Sequence, residues 1–381
     1  MWIPVPRRRP GQAPDVARLP VGADELAGGL IAQTCREPGL PVACHDLAET
    51  GGARLRVRDE PSLEGRTFAE ALHASPTASV IGLAPGDGDA VLRPRMNTVL
   101  GRDDALVALL PDGGGFGPGG WTGEIVEEAV QPLPAGSRRP SRTLMLGWNL
   151  RAPAVVRWLD AHVVPGSRLD VVAGAESDLS LVTAGLERLD MRFSLGDTRG
   201  LTSLESMEPA TYDGVIVLCH GDRDGEGTRA TLRRLRRIRA ESGRTFAIVG
   251  EVPGEAVPER PGERGADDFL VSDGLLGGLL GRLAANPNLA GLFAPSGTEL
   301  HVRKATGYVR PGIEIDFHTV IEAARRRGDV AIGYRVGARE PLAPNAGVVV
   351  NPDKSQPLTF AAGDGLIVLT GGRRARRLRK G

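Results

Sequence analysis

Two stretches near either end of this chain repeat one small domain, and that duplication restricts the fold more than any other feature. Residues 61 to 110 read PSLEGRTFAEALHASPTASVIGLAPGDGDAVLRPRMNTVLGRDDALVALL; residues 311 to 370 contain PGIEIDFHTVIEAARRRGDVAIGYRV and then GVVVNPDKSQPLTFAAGDGLIVLT. Each copy predicts a short helix (Thr67 to His73, paired with His318 to Arg325), a buried strand (Ser79 to Leu83, paired with Val330 to Tyr334) and an edge strand with an Arg93-Pro94 or Asn351-Pro352 step. An acidic turn then leads into a second core strand, Asp103-Asp104 before Leu106-Val107 and Gly363-Asp364 before Leu366-Ile367. A separation of about 250 residues means a tandem of whole domains, because solenoid periods run about 20 to 50.

The repeat reaches upstream of the small domain. ADELAGGLIAQTCREPGL opens a helix after Gly22 that Gly39 and Pro41 stop, and SDGLLGGLLGRLAANPNLAGLF places a similar helix and breaker before the second copy. In the second copy a full α/β lobe lies upstream; in the first, only a final helix remains. The expected organisation is a disordered tail over 1–29, a lobe remnant over 30–48 and a first small domain over 53–112. A Gly-rich and then Pro/Ser/Arg-rich linker follows over 113–140, then the lobe over 141–295, a second small domain over 297–372 and a basic tail over 373–381.

Within the lobe, strand and helix alternate, the mark of a doubly wound parallel sheet. Strands are predicted at Thr143 to Leu146, Arg168 to Val172, Met191 to Leu195, Gly214 to Cys219, Thr245 to Val249 and Asp268 to Val271. The clearest helices are Pro153 to Ala161, Leu179 to Leu189, Gly227 to Arg239 and Gly274 to Ala285. Six strands rich in Val, Ile and Leu suit a Rossmann-like sheet covered on both faces.

Ligands of such sheets sit at the carboxyl ends of the strands, so the candidate cofactor-binding residues lie there. The turn Gly147-Trp148-Asn149-Leu150-Arg151-Ala152-Pro153 stands where a dinucleotide fold carries G-x-G-x-x-G. Only the first glycine is present, and the Asn149 side chain intrudes where a pyrophosphate needs close backbone approach. Arg151 is suited to an anion; a plain strand-to-helix turn is the alternative. Glu176 stands in the role of a ribose-binding acid, somewhat late in the sequence, and Gly196 and Asp197 either face an adenine or ribose or cap the next helix. His220 ends the fourth strand beside Cys219, but neighbouring strand residues point to opposite faces and cannot form a dyad. The acids at 222, 224 and 226 imitate half an EF-hand loop, whose twelfth position here is Arg233 instead of Glu, so they read better as a helix N-terminal acidic cluster. No nucleophile motif, metal-binding helix or phosphate-cradling P-loop occurs, so no catalytic residue and no metal ligand is assigned.

Composition narrows the classes further. Lys+Arg and Asp+Glu are equal at 47 each in 381 residues, which leaves no global field for nucleic acid. Hydrophobic residues make up 41% and charged residues 25%, as in ordinary globular chains, and no window supplies the run of about 18 apolar residues that a membrane span requires. The three cysteines form no C-x-x-C pair, in keeping with a reducing cytoplasm.

A lobe followed by a small αβ domain, once whole and once in part, resembles the regulator-of-potassium-conductance (RCK, or TrkA-N and TrkA-C) assembly. The Gly196-Asp197-Thr198 turn is similar to the one after strand three in that family. More closely, LIAQTCREPGL, EPSLEGRTFAEAL, LMLGWNLRAPAVVRWLDAHVVPGS, DFLVSDGLLGGLLGRLAANPNL and VVVNPDKSQPLTFAAGD resemble the CASTOR and POLLUX ion-channel family, over about residues 30 to 370. The resemblance implies an α/β fold in which a Rossmann-like lobe is flanked by two small TrkA-C-like α+β domains. It also implies a non-enzymatic, cytoplasmic gating module that forms a homo-oligomeric ring, is membrane-associated through a pore domain or subunit, and answers to a ligand. A nucleotide or NAD suits the fold, and calcium enters by resemblance only, with no ligands mapped. A stand-alone NAD(P)- or nucleotide-binding Rossmann protein, as in an oxidoreductase, is the alternative.

Overall fold

The computed structural model describes residues 22–37, 39–48, 54–86, 90–111, 114–117, 119, 121, 123–132, 139–174, 185–219, 225–253, 268–285, 298–336 and 347–371. The chain divides into two compact units. One joins Val42–Ala135 to Leu279–Gly381 and so holds both copies of the repeat; the other joins Val21–Pro41 to Gly136–Gly278 and holds the lobe.

Helix α1 (Ala23–Arg36) opens directly after Gly22, where the sequence places it, so 23–29 belong to the helix and not to the tail assigned to 1–29. Its buried residues Leu26, Ala27, Leu30, Ile31, Thr34 and Cys35 recur at helical spacing and define one inward face. Gly28 lets that face approach closely: a Cβ there would meet Ala154 Cβ at 2.5 Å. Pro41 does not end this helix. It enters the first turn of α2 (Leu40–Ala48), where its missing N–H costs nothing.

The first small domain is built from β1 (Arg54–Asp59), α3 (Phe68–Ala71), β2 (Ser79–Ala84), β3 (Val91–Leu92) and β4 (Ala105–Leu110), in the antiparallel order β1-β4-β2-β3. Thr67 caps α3 in a reciprocal capping box with Glu70.

The lobe follows with β5 (Arg142–Leu146), α4 (Ala152–His162), β6 (Ser167–Ala173), β7 (Leu189–Leu195), α5 (Leu201–Ser206), β8 (Gly214–Val217), α6 (Glu226–Ser242), β9 (Ala247–Val252), β10 (Asp268–Ser272) and α7 (Asp273–Ala285). All six strands are parallel, in the order β10-β9-β8-β5-β6-β7. Leu189 opens β7 instead of closing a helix, and most of the helix predicted over 179–189 lies outside the described residues. Leu144, Leu146, Val215, Val217 and Ile248 pack against Leu232, Leu235 and Ile238 of α6 and Leu204 of α5. On the lobe's sheet, α1 packs beside α4 and against β8, β9 and β10, so it completes this lobe's helical cover and does not stand alone.

The second small domain contains β11 (Thr298–Lys304), β12 (Glu314–Ile315), α8 (Phe317–Arg325), β13 (Val330–Arg335), β14 (Val348–Val350), β15 (Leu358–Thr359) and β16 (Gly365–Gly371). Its main sheet runs β11-β16-β13-β14, the topology of the first copy. Asp316 caps α8 through Thr319 N, which aligns Phe68 with Phe317 and shifts the helix pairing read from the sequence by two residues. Both central strands carry an irregularity at the same place, between Val80 and Gly82 and between Ala331 and Gly333. A Cβ on Gly82 would meet Val91 O at 2.5 Å, and one on Gly333 would strike Val349 O, so only glycine lets the edge strand lie so close.

Gly333→Ala therefore forces the edge strand away. We expect a loss of about 1–3 kcal/mol, read as a lower urea midpoint with an unchanged slope.

Candidate functional site

In the lobe the strand order reverses between β5 and β8, and the candidate crevice lies at their carboxyl ends. Gly147 adopts φ 94°, the left-handed turn that a strand-to-helix reversal requires, and its N–H bonds to Val172 O at 2.8 Å. Asn149 Oδ1 accepts from Arg151 N at 2.9 Å, so the side chain at the missing second glycine closes its own turn. Asn149 Nδ2 donates to Cys219 O at 3.2 Å and to Glu251 Oε2 at 2.6 Å. Glu251, at the end of β9, also accepts from Cys219 N at 3.0 Å and from Arg151 Nη1 at 2.5 Å, and its side chain is only 6% exposed.

Arg151 reaches further, to Asp273 on α7 at 3.0 Å and Asp24 on α1 at 3.5 Å. Burial acts to lower its pKa, but the hydrogen bond to Asp273 and the charges of Glu251 and Asp273 outweigh it and raise it. Asn149 and Arg151 thus converge on Glu251, while Gly147 shapes the turn that carries them. Gly196 and Asp197 do not join them: Asp197 accepts from Arg199 N and Gly200 N at 2.8 and 2.9 Å and caps the turn into α5. Glu176 and His220 lie outside the described residues. Glu251 was missed in the sequence because nothing local marks it; the lone acid at the end of an otherwise apolar strand was its only trace.

A second cluster forms where the two small domains pair. Arg93 and Asn351 hold matching left-handed conformations, φ 50° and 52°, before their prolines. Each donates its backbone N–H to the central strand of its own copy, Ile81 O and Ile332 O, at 2.7 Å. Their side chains cross over: Arg93 Nη1 donates to Gly328 O at 2.6 Å, and Asn351 Nδ2 donates to Thr77 O at 2.8 Å. Lys354, fully buried, sends its amine from the second copy into the end of α3, donating to Ser75 O at 2.6 Å, to Leu72 O at 3.4 Å and to Ala78 O. Burial pushes its pKa down to about 7, while three acceptors match the three donors of the ammonium form.

Beside it, His73 Nδ1 and His318 Nδ1 lie 3.1 Å apart, and Trp121 stacks on both rings with centroids at 5.4 and 4.7 Å. Trp121 Nε1 donates to the cap residue Asp316. Burial holds His73 down to about 4 against the pull of Glu322, and holds His318 to about 3 with the charges of Lys354 and His73 adding to it. Both rings are therefore neutral at pH 7, and one Nδ1–H donates to the other Nδ1. Arg326 ties the segment behind Trp121 to α8 through a two-pronged bond to Glu127 at 2.5 and 2.8 Å. The residues expected as a linker thus cross from one copy to the other.

Burial pushes the thiols of Cys35 and Cys44 up to about 12, which silences them as nucleophiles. Among the described residues no group of three or more His, Cys, Asp or Glu side chains is placed to hold a metal, and no helix is long and apolar enough to cross a membrane.

A Rossmann-like lobe with paired small domains is an RCK-type architecture. Among solved structures the human SLO3 gating ring shares it, with a TM-score of 0.61 over 92% of this chain and 76% of that one, at 11% identity. Residues 24–118 match the family described as Castor and Pollux, part of voltage-gated ion channel. Over 92% of its length the chain is 25% identical to the ion channel CASTOR of Lotus japonicus and 24% identical to the probable ion channel POLLUX of Arabidopsis thaliana. It covers 46% and 47% of those proteins, so it spans about half the length of the curated relatives it matches. The chain is thus similar in sequence to the CASTOR and POLLUX ion channels, the resemblance its segments imply. These relatives are named as channels, not enzymes, in line with the non-catalytic expectation.

Two outcomes follow from the paired domains. Between pH 6.5 and 4.5 the unfolded chain takes up protons that the folded His73 and His318 refuse. Stability then falls with pH by about 1.4 kcal/mol per unit for each imidazole, and His318→Gln flattens that slope in urea titrations. Lys354→Met leaves buried carbonyls without a donor and costs about 2 kcal/mol or more by the same measurement.

Proposed function

We propose that this chain is the cytosolic, ligand-sensing gating module of a CASTOR/POLLUX-like cation channel, acting through a closed homo-oligomeric ring that answers to a pore domain or subunit in the membrane. The carrying observation is architectural. One complete lobe and two copies of the small domain, the latter folded together as one unit, correspond over 92% of the chain to a protein titled a gating ring. The likeness to CASTOR and POLLUX over the same share supports placing the module in a cation channel. In this reading the lobe is the part that senses and the fused small-domain pair is the rigid joint, since the buried Lys354 amine of one copy is seated on backbone carbonyls of the other.

A ring requires self-association with closed symmetry. Multi-angle light scattering of the purified chain over a wide concentration range is expected to show a defined multiple of the protomer mass. A protein that stays strictly monomeric at the highest concentrations sinks the ring.

A further inference from the structure

The fold implies a dinucleotide, and the crevice offers a direct test of whether one fits. In a Rossmann lobe the pyrophosphate lies on the turn after the first strand, facing the end of the fourth, and takes the donors found there. In this chain those places are the β5–α4 turn and Cys219, and three of the donors there are committed to a single acceptor. Asn149 Nδ2, Cys219 N and Arg151 Nη1 all point at one carboxylate, that of Glu251, at 2.6, 3.0 and 2.5 Å. Glu251 comes from β9, two strands away from β5, and lies across the switch point. Its charge has the sign of a phosphate, and its two oxygens accept three donors, as a phosphate's would.

We infer that Glu251 is the resident anion of this crevice, an internal carboxylate in the pyrophosphate position, and that the lobe for this reason refuses dinucleotides and nucleoside polyphosphates. A second anion would have to lie against a buried carboxylate and would find the donors taken. The Asn149 side chain adds a steric bar, and its Oδ1 removes the Arg151 N–H as well. Arg151 is the counterpart of this arrangement. It satisfies Glu251 from α4 while holding α1 and α7 through Asp24 and Asp273, so the position of a bound ligand has become an internal tie among four elements. Whatever effector the proposed gating module answers to, it binds elsewhere than this turn.

The test uses the full chain and isothermal titration with NAD, ADP and inorganic pyrophosphate. The wild type is expected to bind none of them at millimolar concentration. Glu251→Ala vacates a pocket of the three donors and is expected to gain pyrophosphate binding at least tenfold tighter than any wild-type signal; Glu251→Gln, which keeps the shape without the charge, serves if the alanine variant does not fold. Arg151→Met, which keeps the carboxylate and removes the cation, is expected to gain nothing. Binding of NAD or ADP to the wild type overturns the inference whatever the variants do. Failure of both Glu251 variants to gain pyrophosphate binding overturns it too, because the carboxylate would then not be what occupies the position.

Discussion

The turn before the central strand of each small domain ends in a backbone carbonyl that the other copy claims. Thr77 O goes to Asn351 and Gly328 O to Arg93, and the claimants occupy matching positions, each held in the left-handed region before a proline. That exchange sets the pairing. The geometry that delivers Arg93 or Asn351 to these carbonyls depends on its own edge strand being pinned through Ile81 O or Ile332 O. The central glycines that admit the edge strand, the two X-Pro steps and the docking of one copy on the other are consequences of a single geometric demand.

Once the copies are paired, the space between them can be filled by groups that would not survive elsewhere. Lys354 is fully buried, its amine held by the carbonyls of Leu72 at the end of α3 and of Ser75 and Ala78 in the connection to β2. The neutral His73 and His318 stack under Trp121: desolvation removes their charge, and an uncharged imidazole pair can share one hydrogen bond where two cations would repel. The lobe solves its own buried-charge problem differently, by giving Glu251 three donors and Arg151 three carboxylates.

Much of this was legible in the chain because duplication prints local rules twice. The paired strands at Ser79 and Val330, Arg93-Pro94 with Asn351-Pro352 and the acidic turns before the last strands mark the small domains, and the alternation from Thr143 onward marks the lobe and all six of its strands. The opening strands β1 and β11 were not seen. RLRVRD and TELHVRK alternate charge with single apolar residues and read as polar segments until a neighbour pairs with them. Helix α1 was read as the remnant of another lobe since its sequence reports an apolar face but not the surface that covers it. At the crevice, Gly147, Asn149 and Arg151 were singled out from a motif, and the same motif raised the objection to them. Glu251 was beyond reach: its role depends on β9 lying beside β8, a fact of topology and not of spacing.

A pair of identical domains meeting through a twofold axis must make every contact twice, residue i on j and j on i. Duplication within one chain lifts that condition, and the interface uses the freedom. Counted from the X-Pro steps, Lys354 stands where the first copy has Met96, and counted from the helix caps, Glu322 stands where the first copy has His73. Arg93 and Asn351 perform the same task with different side chains. Among the described residues a single buried ammonium, that of Lys354, is seated in the joint, and the Glu322 carboxylate lies 3.8 Å from His73 Nε2. A second copy of either small domain could not replace its partner without placing Met96 where the amine belongs, or a second lysine where no cup awaits it. The divergence of the two copies thus restricts each small domain to a partner of the other kind, first copy to second.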